Sequence, residues 1–370
     1  MGISGSKPHE EWKPEPKPEK VVVPPLFDAP HNAARTRMLV PGYEQAFGKP
    51  VLRGLFEDYF DLAGSVKAGV VLKLLEDPHF DLSANVSSPV KHAGGEAQLR
   101  LQSEDNPDTF VDFLVSTSKL KMKLRSSVYS PMYGIGAFGA LPLHPENSMG
   151  SEEYGILGLR YDSENLSIGA TFVPSTCNSS NEVPYGAWLV GRIGGLSAGA
   201  QYKPLGGSNH RMPFEDLNNW NFAVSYGLGS TSLLSPSFNF SLELLRDTQL
   251  IASFYRHQVV QRKVKLWGEG DKITNYIDFG LELETRVDKD KPTDNADNSS
   301  LQLAANWQAN KNFLIKGKLG PSKSSVALAF TSWWKPMFTF SVTAVNDHSK
   351  DTRAYGFGIH VNDLVKEPMF

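Results

Sequence analysis

Along most of this chain, from about residue 67 to residue 362, apolar and polar side chains alternate strictly in stretches of roughly eight to ten positions, each closed by a turn. In the segment from Phe80 to Ser87, Phe80, Leu82, Ala84 and Val86 are apolar, while Asp81, Ser83, Asn85 and Ser87 are polar. A period of two places the first set on one face of a strand and the second on the other, so one face suits oil and the other water. The same sorting holds from Trp220 to Tyr226, from Phe238 to Leu244 and from Leu301 to Trp307. A helix with a period of 3.6 does not separate these residues.

This rhythm predicts nineteen or twenty strands. They fall near 67–76, 78–87, 95–103, 109–117, 120–128, 133–141, 153–162, 166–174, 185–193, 194–203, 219–228, 236–245, 249–257, 259–266, 275–285, 299–308, 312–319, 324–332, 336–345 and 353–363. Tight connections at 162–165, 194–195, 246–249, 308–312 and 320–324 imply antiparallel neighbours. Longer polar insertions at 142–152, 174–184, 204–218, 267–274 and 286–298 suit loops at the rims of a barrel. A soluble sandwich rarely uses so many meandering strands, and no blade repeat of about forty residues marks a propeller. Closed into one cylinder, such a sheet leaves a lumen that side chains cannot fill, and water must occupy it. Aromatic residues near strand ends, Trp220, Tyr226, Trp307, Trp333, Trp334 and Tyr355, suit an interface girdle.

Upstream of the strands the pattern changes twice. Residues 1–49 read as tail and linker, because Pro8, Pro14, Pro16, Pro18, Pro24 and Pro25 are interleaved with Lys and Glu in an extended string that cannot pack a core. The opening Met-Gly-Ile-Ser-Gly-Ser fits an N-myristoylation pattern with Gly2 as acceptor, against the alternative of a plain disordered terminus. Over 50–63, Leu52, Leu55, Phe56, Tyr59 and Phe60 share one side of a helix and Arg53, Glu57, Asp58 and Asp61 the other. This amphipathic helix, with Pro50 in its first turn and Gly64 at its end, packs on a pore wall, a membrane surface or simply a sheet. The barrel is then expected over 64–370.

Composition adds exclusions. The 370 residues are 40% hydrophobic and carry a formal charge of -3, which predicts no nucleic-acid partner. No run of eighteen apolar residues occurs and no secretory layout opens the chain, so membrane residence has to be as a barrel. The single Cys177 excludes an intramolecular disulfide and suits synthesis in the cytosol. Gly134-Ile-Gly-Ala-Phe-Gly139 has dinucleotide-loop spacing, but Leu-Pro-Leu-His-Pro follows it and cannot open a helix. Gly195-Leu-Ser-Ala-Gly199 has nucleophile-elbow spacing, yet strand alternation runs through it. Asn-x-Ser sequons at Asn85, Asn165, Asn178, Asn239 and Asn298 mean little without export, and the nine histidines show no metal-ligand spacing. The expectation is a protein that is not an enzyme and uses no cofactor or metal.

A tail, a short amphipathic helix and about nineteen antiparallel strands ending near the C-terminus form a layout that resembles the eukaryotic porin superfamily over about residues 50 to 363. It is similar to the voltage-dependent anion channels and, in tail and loops, to divergent plant outer-membrane porin-like proteins. The end of the chain carries the best local match: Gly356, Ile359 and Val361 fill the glycine and both hydrophobic places of that family's sorting signal, while Ala354 stands in its polar place beside Arg353. The resemblance implies an all-β transmembrane antiparallel barrel and residence in the mitochondrial outer membrane, with the plastid outer envelope as the alternative. It also implies membrane lipids and the outer-membrane import and assembly machinery as partners.

Alternation further sorts the charges. With Leu120, Met122 and Leu124 outward, Lys121, Lys123 and Arg125 point into the lumen, and the same rule turns in Arg100, Lys203, Lys263, Lys265, Lys316 and Lys318. Glu243, Asp278, Glu282 and Glu284 oppose them. This small cationic excess predicts a water-filled pore for small anions and hydrophilic metabolites, with a mild anion preference that salt screens. The alternative function is a membrane-embedded barrel that serves mainly as scaffold or receptor for cytosolic partners.

Overall fold

A computed structural model gives the architecture. It describes residues 37–47, 55–56, 65–73, 80–89, 94–103, 106, 108–117, 121–143, 155–174, 185–204, 215–229, 235–266, 269–286, 299–310, 312–332 and 337–362, with the backbone path alone over 261–274. The tail, Gly2 included, and most of the 50–63 segment lie outside the described residues; within that segment Leu55 and Phe56 are helical.

Nineteen strands form one closed sheet. In chain order they are β1 (Ser65–Lys73), β2 (Phe80–Pro89), β3 (Gly94–Gln102), β4 (Phe110–Ser116), β5 (Lys121–Ser130), β6 (Ile135–Pro142), β7 (Ile156–Asp162), β8 (Leu166–Phe172), β9 (Tyr185–Ile193) and β10 (Leu196–Tyr202). They continue as β11 (Trp220–Gly229), β12 (Ser237–Leu245), β13 (Gln249–Leu266), β14 (Glu269–Arg286), β15 (Ser299–Asn310), β16 (Phe313–Leu319), β17 (Lys323–Thr331), β18 (Met337–Asp347) and β19 (Thr352–Asn362). Each strand pairs antiparallel with the next, and β19 closes on β1 from Val66 opposite Phe357 to Val71 opposite Asn362. That seam is parallel, so the all-antiparallel expectation is corrected at one place. The cause is arithmetic: in a meander with an odd number of strands the first and last run the same way.

The sheet is inside out relative to a soluble barrel. Outward positions are apolar and bare to the surroundings, with Val86, Leu159, Val224 and Phe357 each more than half exposed. Inward positions are polar and covered: Arg100, Asp112, Ser241, Ser253, Thr339 and Thr343 are all buried. Closure leaves no sheet edge in the ring, so every strand there pairs on both sides.

One further correction concerns β13 and β14. The alternation predicts separate strands at 249–257 and 259–266 followed by a loop, whereas β13 is one strand of 18 residues paired along its whole length with an 18-residue β14. The ring ends where Ser237 of β12 faces His257 and Tyr276 faces Gln308 of β15. Beyond those pairs, residues 258–266 of β13 are laddered only to β14 among the described residues, forming a two-stranded ribbon above the rim. The boundary that the period of two puts at 258 is where the ring ends and the ribbon begins. A ribbon outside the ring has no one-sided burial to enforce that period.

Candidate functional site: the lumen and the segment inside it

The inward face of β3, β4 and β5 carries a charge cluster. Arg100 donates from Nε and Nη2 to the two carboxylate oxygens of Asp112, both at 2.5 Å, and both side chains are sealed from solvent. Arg125 Nη2 donates to Asp112 Oδ2 at 3.2 Å, and the Arg100 guanidinium lies 4.6 Å from the centre of the Phe110 ring. Parallel N–H donors match a carboxylate bidentately, which fixes the pair geometrically as well as electrostatically. Lys121 and Lys123 occupy the next inward positions of β5, half-buried. Two guanidinium groups, of Arg100 and Arg125, face the one carboxylate of Asp112.

Acids gather on the next group of strands. Glu243 on β12 is buried. Asp278 on β14 accepts from Tyr255 Oη at 2.9 Å and from Asn306 Nδ2 at 3.4 Å, and lies 2.6 Å from His257 Nδ1. Glu284 accepts from Gln249 Nε2 at 2.7 Å and Arg286 Nε at 2.8 Å, while Glu282 occupies the inward position between Glu284 and Gly280. On β16 Lys316 is buried, and Lys318 is turned inward two residues on. Lys203, just past β10, is 61% exposed and has Nζ 3.8 Å from Glu44 Oε1. These side chains lie on the same face of the sheet as Arg100 and Asp112, while the backbone at 263 and 265 belongs to the ribbon beyond the ring.

The lumen is not empty. Residues 37–47, counted with the tail and linker in the sequence reading, run inside the barrel as a 3₁₀ turn (Arg37–Leu39) and a helical turn α1 (Gly42–Ala46) entered through Pro41. Tyr43 and Phe47, one helical turn apart, are fully buried against Phe138, Trp188, Val190 and Ala223. Those four wall residues point inward from β6, β9 and β11, where alternation elsewhere sets polar groups, and the segment gives them an apolar cover. The approach is so close that a Cβ on Gly42 would overlap the Ser167 hydroxyl and the Trp188 indole nitrogen. Trp188 itself lies flat over Gly169, the only residue that leaves room for the ring there. Burial pushes the Tyr43 hydroxyl well above the usual phenol range, and the Glu243 and Glu44 carboxylates push it further.

Polar contacts fasten the segment at three places. Arg160 on β7, nearly sealed from solvent, donates Nη1 to the carbonyls of Met38 and Val40 at 3.4 and 3.5 Å and Nη2 to Gln45 Oε1 at 3.4 Å. Its Nε is held by Asp162 Oδ2 at 2.5 Å, and Asp162 Oδ1 accepts in turn from the Ser167 hydroxyl. Ser241 on β12 donates to the Phe47 carbonyl at 3.4 Å, and Lys318 on β16 donates to the Phe56 carbonyl at 2.7 Å. These contacts set residues 37–47 against β7 and β12, and Phe56 against β16. Arg160, Asp162, Asp112 and Trp188 were not among the expected site residues. Alternation does turn the first three inward, since Leu159 and Tyr161 flank Arg160, and Val111 and Phe113 flank Asp112. An inward Trp in Tyr185-Gly-Ala-Trp188-Leu-Val190 was the one sequence sign that something covers the wall.

At the closing strand, Gly356 is buried on the inner face, Ile359 is exposed on the outer face, and Val361 shares the side of Ile359 opposite Val70 at the seam. Gly134 sits in a turn with φ +67° that leads into β6, and Ser197 lies on the pleat of β10, so neither motif is arranged for phosphate or nucleophile chemistry. No protein-family model matches the sequence, and no curated protein is significantly similar to it.

Proposed function

We propose that the chain is a membrane-spanning pore for small hydrophilic solutes with a mild preference for anions, seated in an organelle outer membrane, the mitochondrial one before the plastid envelope. The observation that carries this reading is the inversion of the closed sheet, with Leu159, Val224 and Phe357 bare on the outside while Arg100, Asp112 and Thr343 are covered within. Such an outer face costs too much in water and suits a hydrocarbon core, where a closed sheet pairs all its backbone groups. The described part of the N-terminal segment lies along the wall and narrows the bore.

The segment also favours a second reading, a barrel that acts mainly as scaffold or receptor, because a strap fastened at Arg160, Ser241 and Lys318 takes up lumen that a solute would use. Planar-bilayer recording of the refolded chain separates the two: stable unitary steps in KCl support the pore, and their absence from inserted protein supports the scaffold. Recovery in the soluble fraction after alkaline carbonate treatment would overturn both.

A further inference from the structure

The outer face of the ring carries almost no charge. Directly opposed residues share a face and every second residue along a strand returns to it, so register sorts the ring into an outward and an inward set. Among the described residues the outward set holds two charged side chains, Arg256 on β13 and Arg353 on β19, and no acid. Both arginines are exposed, and neither has an ion pair or a side-chain hydrogen bond among the described residues.

Their settings differ. Arg353 is the second residue of β19, opposed by Asn346, and it precedes the stretch of β19 that pairs with β1. Arg256 stands within an apolar surface, directly opposed to Phe238 on β12 and to Phe279 on β14. The Phe238 ring centre lies 6.2 Å from that of Tyr226 on β11. One outward level nearer the rim, Gln258 opposes Ile277, and Ile277 opposes Trp307 on β15. The guanidinium therefore arises at the edge of the apolar band, not beyond it, with aromatic rings on the strands to either side.

A charged side chain that faces lipid is costly at depth and less so near the interface, where amphipathic aromatic rings collect. An arginine there with no acid beside it takes its counter-charge from the surroundings, and the anion a bilayer offers at that level is a headgroup phosphate. A planar guanidinium matches phosphate oxygens bidentately, while Phe238 and Phe279 present apolar surface to the acyl chains beneath.

We propose that Arg256 is the headgroup site for an anionic phospholipid, in the leaflet at the rim from which β13 and β14 extend as the ribbon. A zwitterionic lipid brings its own ammonium to the phosphate and so meets a lone guanidinium less well than an anionic lipid does. The site rests on the membrane reading and is independent of conduction.

The test refolds the full chain into micelles doped equally with phosphatidylglycerol and phosphatidylcholine and reads the retained lipid by native mass spectrometry. The wild type should retain phosphatidylglycerol about five-fold better, the preference expected of one arginine near an anionic surface. R256Q should retain the two lipids equally, and R353Q should keep the wild-type preference. A preference unchanged in R256Q, absent from the wild type, or lost in R353Q alone would overturn the site. So would a lower urea midpoint for R256Q in phosphatidylcholine, which would show that Arg256 serves a partner within the protein. Recovery of the chain in the soluble fraction after alkaline carbonate treatment is a separate outcome: it removes the membrane reading and the site with it.

Discussion

Two sectors of the barrel share an outer face and differ in what they turn inward. From β6 to β11 the outside shows Leu159, Ile168, Leu189 and Val224, and from β17 to β19 it shows Val326, Leu328, Phe340, Val342 and Phe357, with no difference in kind. Inside, the first sector presents Phe138, Trp188, Val190 and Ala223, and the second presents Ala327, Ala329, Thr331, Thr339, Ser341, Thr343 and the glycines 356 and 358. The solvent outside fixes the outer face alone. The inner face answers to what lies against it: apolar residues where the N-terminal segment packs on the wall, hydroxyls and small residues from β17 to β19, where the inward side chains are also buried. An inward aromatic in such a barrel therefore marks a covered wall.

The largest effect is expected at the buried ion pair between β3 and β4. Asp112→Ala leaves Arg100 buried beside a second guanidinium, and removing one member of a buried pair costs about 3–5 kcal/mol. The urea midpoint of the refolded barrel should fall markedly, and Asp112→Asn should behave nearly as badly because the charge, and not the shape, is missing. An unchanged midpoint for both would mean that water reaches Arg100.

The two sectors can be compared by a matched pair of deletions. Trp188→Ala removes the ring over Gly169 and the packing of Tyr43 and Phe47, at a cost of about 3 kcal/mol. Thr343→Ala in the polar sector removes one buried hydroxyl, at about 1 kcal/mol or less. Equal losses in urea titrations would show that the segment does not cover its wall. Gly42→Leu isolates the segment from the wall: the clash with Ser167 and Trp188 should displace α1 and lower the midpoint by no more than Trp188→Ala does, because every wall residue is kept. Trypsin should then cut faster at Arg37 than in the parent chain, and unitary conductance should rise if the segment narrows the bore. Arg160→Gln should act in the same direction with a smaller effect, since it removes three weak tethers and keeps the ring packing.

How much of this was legible follows from the same contrast. Strands sandwiched between oil and water announce themselves by a period of two, and the spans of β4, β8, β9 and β16 lie within a residue or two of where alternation puts them. The parallel seam needed only the parity of the strand count, which nineteen or twenty strands left open. The ribbon was obscured because the expected break at 258 coincides with the end of the ring at His257. The lumenal segment was hidden by its length: five helical residues offer one apolar pair, Tyr43 and Phe47, which is too little to show a period. Asp112 and Arg160 were turned inward by the pattern, but pairing across strands depends on register, and no single strand's sequence states it.

The smallest effect belongs to the half-buried lysines of β5. Arg100 is held by Asp112, Arg160 and Lys318 hold the segment, and Glu243 is covered, while Lys121 and Lys123 stand on the inward face of β5. In a wide, wet bore each is screened over about 10 Å at moderate salt, which limits what two residues can do. Reversing both with Lys121→Glu and Lys123→Glu should carry the reversal potential in a KCl gradient toward or past zero, a change of about two-fold in the chloride-to-potassium permeability ratio. The shift should shrink in more concentrated gradients and should survive in Gly42→Leu, where the segment is displaced but β5 is untouched. A reversal potential that moves with Gly42→Leu and not with the double reversal would place the selecting charge in the covered sector instead, among Arg160, Asp162 and Glu243.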